Sequence, residues 1–559
     1  MYPRMEKERN LRLKNEKTKA SLIFMAVVAI AYALASQNGP AMLEASRPSG
    51  FYEDPFYLEL HARQGEIYYT LDGSTPDRNA LRYTGPIYIG DASENENVLS
   101  TRTDLDSFSG QFVESGEGAL TVTPKEKVDK ATIVRAIYYD TTGLSSSELC
   151  LSYFVGFQDK TGYGGIKVIS IVTDPSNLTD YDTGIFVRGR SYDRHVEEWG
   201  KIWAPGNYHN KGRAWEREAQ FQYFGEDGKL LYDTKCGIRI MGGWHRWTVL
   251  RSLNLYARKE YGGANRFDYD FFGTSLRPHK LTLHSGSNDY YGKAQNMLVS
   301  SLTQDLDMGV MHYNICIVFL NGEYWGIYNL TEKYDEEYLV QTYGVQKGDV
   351  ISVKAGNLEN GRMEDFHLYT EAVNFLKHAD MSEEENYAKF QRLFDEQSLL
   401  DLFGTEIYCA RHFDWPNGNI HLWRTISENG DGYSDGRWRY LMYDLDSLGL
   451  TSDLIDHDTV LSAMEDCAYF KNLCQNEVFR KKLGANILRI GREYLSRERV
   501  DLFIANYTQL MAEPMKTYFR RFFDSDETYF YERMESNQAF FDARLEAMER
   551  ILATHDILP

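Results

Sequence analysis

Arg411-His412-Phe413-Asp414-Trp415-Pro416-Asn417-Gly418-Asn419 is followed, after a β-like pair, by Trp438-Arg439-Tyr440-Leu441-Met442-Tyr443-Asp444-Leu445-Asp446. A helical run leads into the first stretch, and the second is a strand-like run ending in two carboxylates. Asp414 and Asn419 stand five positions apart. An Asp able to accept a hydroxyl proton, an Asn able to hold a metal, and a further Asp after a strand pair follow one another in the order that phosphoryl transfer uses. Neither an HRD nor a DFG triplet is spelled out. Asp and Asn also build tight turns, so spacing alone leaves both readings open.

Around this stretch, residues 165–555 read as mixed α/β. Strands are expected at 166–172, 237–241 and 252–257, and a hairpin at 315–320 and 324–330 turning through Asn321-Gly322. Helical periodicity is expected at 296–305, 364–378, 384–394, 398–409, 478–494, 500–519 and 537–553. A strand-rich half feeding a helix-rich half predicts a two-lobed α+β enzyme with a cleft between the lobes. Gly242-Gly243 suits either a simple turn or a backbone that approaches phosphates closely. Glu332 is a candidate acid near the cleft or a surface partner of Lys333 or Lys259.

Residues 47–157 alternate as short strands separated by turns, which predicts a small antiparallel immunoglobulin-like sandwich. Asp91–Asp129 is acidic and polar, and reads as an exposed loop. Residues 1–20 are rich in Lys and Arg, residues 21–35 (SLIFMAVVAIAYALA) are apolar, and Ala33-Leu34-Ala35 precedes Ser36. That predicts a signal peptide or signal-anchor over residues 1–36, with the remainder exported and either secreted or held on the outer face of the cytoplasmic membrane.

The chain of 559 residues carries a formal charge of −21. No basic field attracts phosphate backbones, which argues against a general nucleic-acid binder. The six cysteines form no CxxC or Cys/His cluster at zinc spacing. Cys467 and Cys474 are close enough for a local disulfide, although buried free thiols are the commoner case.

Two resemblances sharpen these readings. IYYTLDGSTPDRNALRYTGPIYI at residues 67–89 resembles the chitobiase/β-hexosaminidase C-terminal-like domain. That implies an accessory module, a spacer or docking domain, with contact to cell-surface polysaccharide as one role. VISIVTDPSNLTDYDTGIFV, AWEREAQFQYF, GIRIMGG, LRSLNLYARKEYG, FLNGEYWGIYNLTEKYDEEYL, HFDWPNGNIHLWR and WRYLMYDLDSLG together resemble the spore coat protein H (CotH) kinase family. The resemblance implies an atypical kinase fold and transfer of the γ-phosphoryl of ATP, with Mg²⁺ or Mn²⁺, to Ser/Thr of extracytoplasmic or spore-coat protein substrates. It makes Asp414 the catalytic base, Asn419 and Asp446 metal ligands with Asp444 a close competitor, and Arg251 and Glu332 the cofactor-binding candidates.

Three departures from the family pattern bear on catalysis rather than on the fold. Arg251 stands where relatives carry Lys, and a planar fork is not a point charge. Gly292-Lys293-Ala294 replaces an Arg-Asp pair, and Ser447-Leu448 follows Asp446 where an aromatic and Gly are usual. Two other readings therefore stand beside the kinase: an inactive kinase-like surface or coat assembly protein, and a carbohydrate-active protein. The last needs paired carboxylates and leaves Asn419 without a task.

Overall fold

The apolar run of Tyr313–Leu320 and the wholly buried Glu323–Glu332 form a hairpin at the centre of the molecule. Its turn is Asn321-Gly322, with φ of 47° and 85°, the positive values that a tight hairpin of this hand requires. This computed structural model describes residues 43–105, 123–158, 160–286, 288–410, 414–416, 418–428, 430, 432–523 and 525–558.

The hairpin belongs to a closed barrel. Its strands run in the order Lys167–Val172, Arg217–Phe224, Leu230–Ile240, Leu253–Ala257, Lys280–His284, Glu323–Glu332 and Tyr313–Leu320. Neighbours are antiparallel until Tyr313–Leu320 meets Lys167–Val172 in parallel, with Val168 opposite Ile317, and closes the ring. Closure removes the exposed edges that an open sheet of such apolar strands would carry.

Beyond the hairpin lies a five-stranded sheet in the order Gly309–Val310, Arg439–Met442, His421–Thr425, Val350–Lys354 and Asn357–Asn360. The helix Glu396–Tyr408 is buried along nearly its whole length and packs against Arg439–Met442. The long helices Arg497–Phe522 and Thr528–Thr554 pack together, and their apolar faces join the core shared with the barrel. The helical expectations agree with these elements to within a turn or so, including 364–378, where the short helical turn Met363–Phe366 leads into His367–His378; the exception is 537–553, where the helix starts at Thr528.

The N-terminal region is β-rich. Gly50–Tyr52, Leu149–Val155, Thr132–Tyr139, Glu66–Thr70 and Leu81–Arg82 form one sheet in that order, Phe56–Leu58 pairs with Ile87–Ile89, and Glu44–Ala45 with Leu60–His61. It has its own small core of Leu58, Ile89, Val134 and Tyr153, among others. Leu99, Leu105, Val128, Ile133 and Phe154 instead belong to the barrel's core. The region is therefore fused to the barrel rather than tethered to it.

Glu323 makes much of that junction. Its carboxylate accepts from the backbone N–H of Val98, from Leu99 N at 3.0 Å, Ser100 N at 2.8 Å and Ser100 Oγ at 2.5 Å. This corrects the reading of Asp91–Asp129 as an exposed loop. Residues 98–100, 105 and 128–131 are held against the barrel, because a buried carboxylate must find donors and this segment supplies them. Residues 106–122 of the same stretch lie outside the described residues.

All six cysteines are buried free thiols, so Cys467 and Cys474 flank the helix Ala468–Leu473 without a disulfide. The expected signal or anchor also lies outside the described residues, and among the described ones no helix is long and apolar enough to cross a membrane.

Candidate functional site

A cleft of about 1100 Å³ opens between one end of the barrel and the five-stranded sheet. Asp414, Asn419, Asp444, Asp446 and Glu332 all line it. A barrel strand and the loops flanking the five-stranded sheet thus share one hollow.

Each carboxylate is placed by a short local device. Asp414 has a φ of 54°, a region that Asp tolerates better than most residues. Its carbonyl accepts from Gly418 N at 2.9 Å and Asn419 N at 2.7 Å. A Cβ at Gly418 would stand 2.9 Å from that carbonyl, which is why glycine is required there. The turn-building reading of this stretch is therefore correct in itself, and the turn delivers Asp414 and Asn419 to the cleft. Asp444 likewise has a positive φ, 63°, where the chain leaves Arg439–Met442. The next residue is tied back, since Leu445 N donates to Asn296 Oδ1 at 2.8 Å from the buried helix Gln295–Leu302. Unfavourable backbone angles on two cleft carboxylates are the kind of strain that gathers at functional sites.

Asp446 is 2% exposed. It accepts from the N–H of Asn288 at 3.3 Å and from Asn288 Nδ2 at 3.2 Å. Burial opposes its ionisation, but His284, His245 and the Asn288 donors outweigh it and hold the carboxyl below the usual range. Asn419 Nδ2 donates to Asp444 Oδ2 at 2.9 Å, leaving Oδ1 as its available oxygen.

Ligand atoms of His284, Asp444 and Asp446 all lie within 4.8 Å of one another, close enough to hold a metal ion. The imidazole is the weak member of that trio. Gly286 N donates to His284 Nδ1 at 3.1 Å, so the neutral ring carries its proton on Nε2, which faces Asp446 Oδ2 at 4.0 Å. In this tautomer Nε2 carries a proton and has no lone pair to offer a cation, and at this distance it makes no hydrogen bond to the carboxylate. The set left for a cation is Asp444, Asp446 and the Asn419 oxygen, hard donors suited to Mg²⁺ or Mn²⁺. The residues present fit such an ion.

Two sequence expectations need correction. Arg251 does not line the cleft: it is fully buried, and its guanidinium donates to the carbonyls of Arg246 (2.7 Å), Phe186 (3.2 Å) and Leu105 and lies over the Tyr208 ring. A buried guanidinium with its donors already satisfied has none to offer a phosphate. Glu332 does line the cleft, but it pairs with neither Lys333 nor Lys259. Its Oε1 accepts from His312 N at 2.9 Å and lies 2.8 Å from His312 Nδ1, while Lys333 lies 3.6 Å from Glu359.

Lys293, the second departure from the family pattern, is 1% exposed and donates to the Ser285 carbonyl. Burial pushes its pKa down to about 7 against the pull of Asp289 and Asp446. Gly242 and Gly243 do border the cleft, with a φ of 101° at Gly242 and open space where a Cβ would stand at either. Sequence reasoning missed Asn288, Asn296, His284, Lys354 and His421. The first two carry no motif, and Lys354 and His421 look like ordinary strand residues.

A β-rich region leading into a barrel and a helical half, with carboxylates converging in one polar cleft, defines a mixed α/β protein with a candidate metal-holding site. Residues 238–548, more than half of the chain, match the family described as CotH kinase protein, and the chain belongs to that family. Residues 57–153 match the family described as Fn3 associated, a name compatible with, though different from, the chitobiase-like resemblance. No curated protein matches the chain.

Proposed function

We propose that this chain is an exported, ATP- and divalent-metal-dependent protein kinase acting on Ser/Thr of extracytoplasmic or coat proteins. The observation that carries the reading is that Asp414, Asn419, Asp444 and Asp446 line one cleft. The barrel and the sheet-and-helix half take the part of the two lobes. Asp444, Asp446 and Asn419 would hold the cation, which when bound neutralises the charge that phosphoryl transfer spreads over oxygens. Asp414, exposed on its turn, is placed to take the proton of an incoming hydroxyl. Asn288 orients Asp446, and Asn419 orients Asp444. Glu332, held by His312, shapes the wall where the cofactor lies.

The N-terminal region serves as a support fused to the barrel, with its immunoglobulin-like face free for other contacts. On that face Tyr57 and Tyr88 are 67% and 61% exposed, with ring centroids 5.6 Å apart. Such a pair suits stacking on cell-surface polysaccharide. The inactive-scaffold alternative draws on the withdrawal of Arg251 and Lys293 from the cleft.

Incubation with γ-labelled ATP and Mn²⁺, with and without exported proteins as acceptors, separates these readings. The wild type is expected to transfer label, and Asp414→Asn to lose roughly 10²–10⁴-fold in rate, the usual worth of a general base, while still binding nucleotide. No label on the wild type favours the scaffold, and equal label on Asp414→Asn removes Asp414 from the mechanism.

A further inference from the structure

With Arg251 and Lys293 committed to backbone carbonyls, the cleft needs another partner for a phosphate chain. Among its lining cations, Arg246 donates to the carbonyls of Gly242, Tyr208 and Ile240, Lys333 faces Glu359, Arg533 sets its charge against the buried Asp289, and Lys211 is exposed at the rim. Lys354 differs from all of these. It ends the strand Val350–Lys354, lines the cleft, and among the described residues its ammonium makes no hydrogen bond or ion pair. Its ammonium lies 3.9 Å from the centroid of the Tyr443 ring, one residue before Asp444, whose charge acts on it.

A second observation points to a ligand at the same corner. His421 stands opposite Lys354 in the strand register, which puts the two side chains side by side on one face. It is 2% exposed, it lines the cleft, and its Nε2 is buried without a hydrogen-bond partner. Buried polar groups normally find partners. Among the described residues, an ammonium with no hydrogen bond or ion pair beside an orphaned imidazole nitrogen, near the cleft's carboxylates, is an arrangement suited to an anion.

We propose that Lys354 is the cation that receives the phosphate chain of the nucleotide, with His421 Nε2 as a neighbouring contact. The proposal rests on the nucleotide-binding reading above. It moves the role that the sequence suggested for Arg251 to the opposite wall of the cleft, where one negatively charged chain would lie between Lys354 and a cation held by Asp444 and Asp446.

The test is calorimetric titration of the full chain with ATP, adenosine and inorganic tripolyphosphate, each with Mn²⁺, for the wild type, Lys354→Met and Lys354→Arg. Lys354→Met is expected to weaken ATP and tripolyphosphate at least about tenfold, the usual loss for a charge-assisted hydrogen bond. Adenosine binding should stay unchanged and Lys354→Arg should recover much of the loss. Lys354 is half-buried at the end of its strand and makes no hydrogen bond or ion pair among the described residues, so the melting temperature of Lys354→Met without ligand should be unchanged or higher, and Lys354→Gln provides a second neutral variant.

Wild-type-like binding of ATP and tripolyphosphate by both neutral variants overturns the role of Lys354 and leaves the kinase reading standing. A wild type that binds tripolyphosphate through Lys354 but shows no preference for ATP sinks the nucleotide reading and keeps Lys354. A wild type that binds none of the three sinks both.

Discussion

Replacing Asp446 by Asn tests the centre of the proposed site with the least change of shape. The carboxylate accepts two hydrogen bonds from Asn288, at 3.3 and 3.2 Å, and lies 4.0 Å from His284 Nε2. The carboxamide keeps one acceptor and turns an NH₂ toward a donor. Against that, a buried charge disappears, and removal of a desolvated charge offsets lost hydrogen bonds. The two effects leave stability within about 2 kcal/mol of the wild type.

Metal binding is another matter. Two unit charges 4 Å apart at an effective dielectric of about 20 attract by about 4 kcal/mol, and every 1.4 kcal/mol or so is tenfold in affinity. Since the cation is divalent, a thousandfold loss of Mn²⁺ affinity is about the minimum expected. Titration of Mn²⁺ followed by its electron paramagnetic resonance signal, run beside thermal melts and label transfer from γ-labelled ATP, reads all three consequences. An unchanged melt with Mn²⁺ affinity within a few fold of wild type would refute the assignment of Asp446 to the metal.

Other outcomes follow from the same geometry. Arg251→Lys should cost about 2–4 kcal/mol in chemical denaturation, because an ammonium cannot reach the carbonyls that the guanidinium serves; reduced ATP affinity with unchanged stability would return Arg251 to the cofactor. Glu323→Gln should lower stability by about 2–4 kcal/mol through its four donors from residues 98–100, and limited proteolysis should then cut near those residues first; an uncut, equally stable variant would mean the junction does not depend on this carboxylate. Burial acts to raise the pKa of Glu148, but the hydrogen bond and charge of Arg135, joined by Lys235 at 3.3 Å from the barrel, win and depress it. The folded pKa is thus below the unfolded one, so this stabilisation is complete above the ordinary glutamate range and is lost as pH falls through the depressed value. Glu148→Gln should flatten that acid limb in melts recorded against pH, and an unchanged limb would exclude the pair as its source.

Much of the fold could be read from local pattern. The hairpin at Asn321-Gly322 was legible because only a narrow set of residues turns with two positive φ values, and the helices were legible because their buried faces recur at helical spacing. Closure of the barrel was not, because it depends on a parallel pairing between Lys167–Val172 and Tyr313–Leu320, strands far apart in the chain, and nothing local encodes that register. The stretch Asp91–Asp129 misled for a related reason. It is polar and acidic as a whole, yet residues 98–100 within it are anchored by a glutamate more than two hundred residues away.

The amino-acid order alone singled out Asp414, Asn419, Asp444 and Asp446, which the fold brings to one cleft, because they sit in stretches whose turn and strand chemistry is local. Which cation could stand across from them was decided only by the folded chain. A basic side chain's availability depends on what satisfies it, and the carbonyls around Arg251 and Lys293 come from parts of the chain distant in sequence or from a loop whose path the fold sets. Lys354 makes no ion pair among the described residues for the same reason: the groups beside it are His421 and the Tyr443 ring, and Asp444 and Glu359 act on it only through their charge.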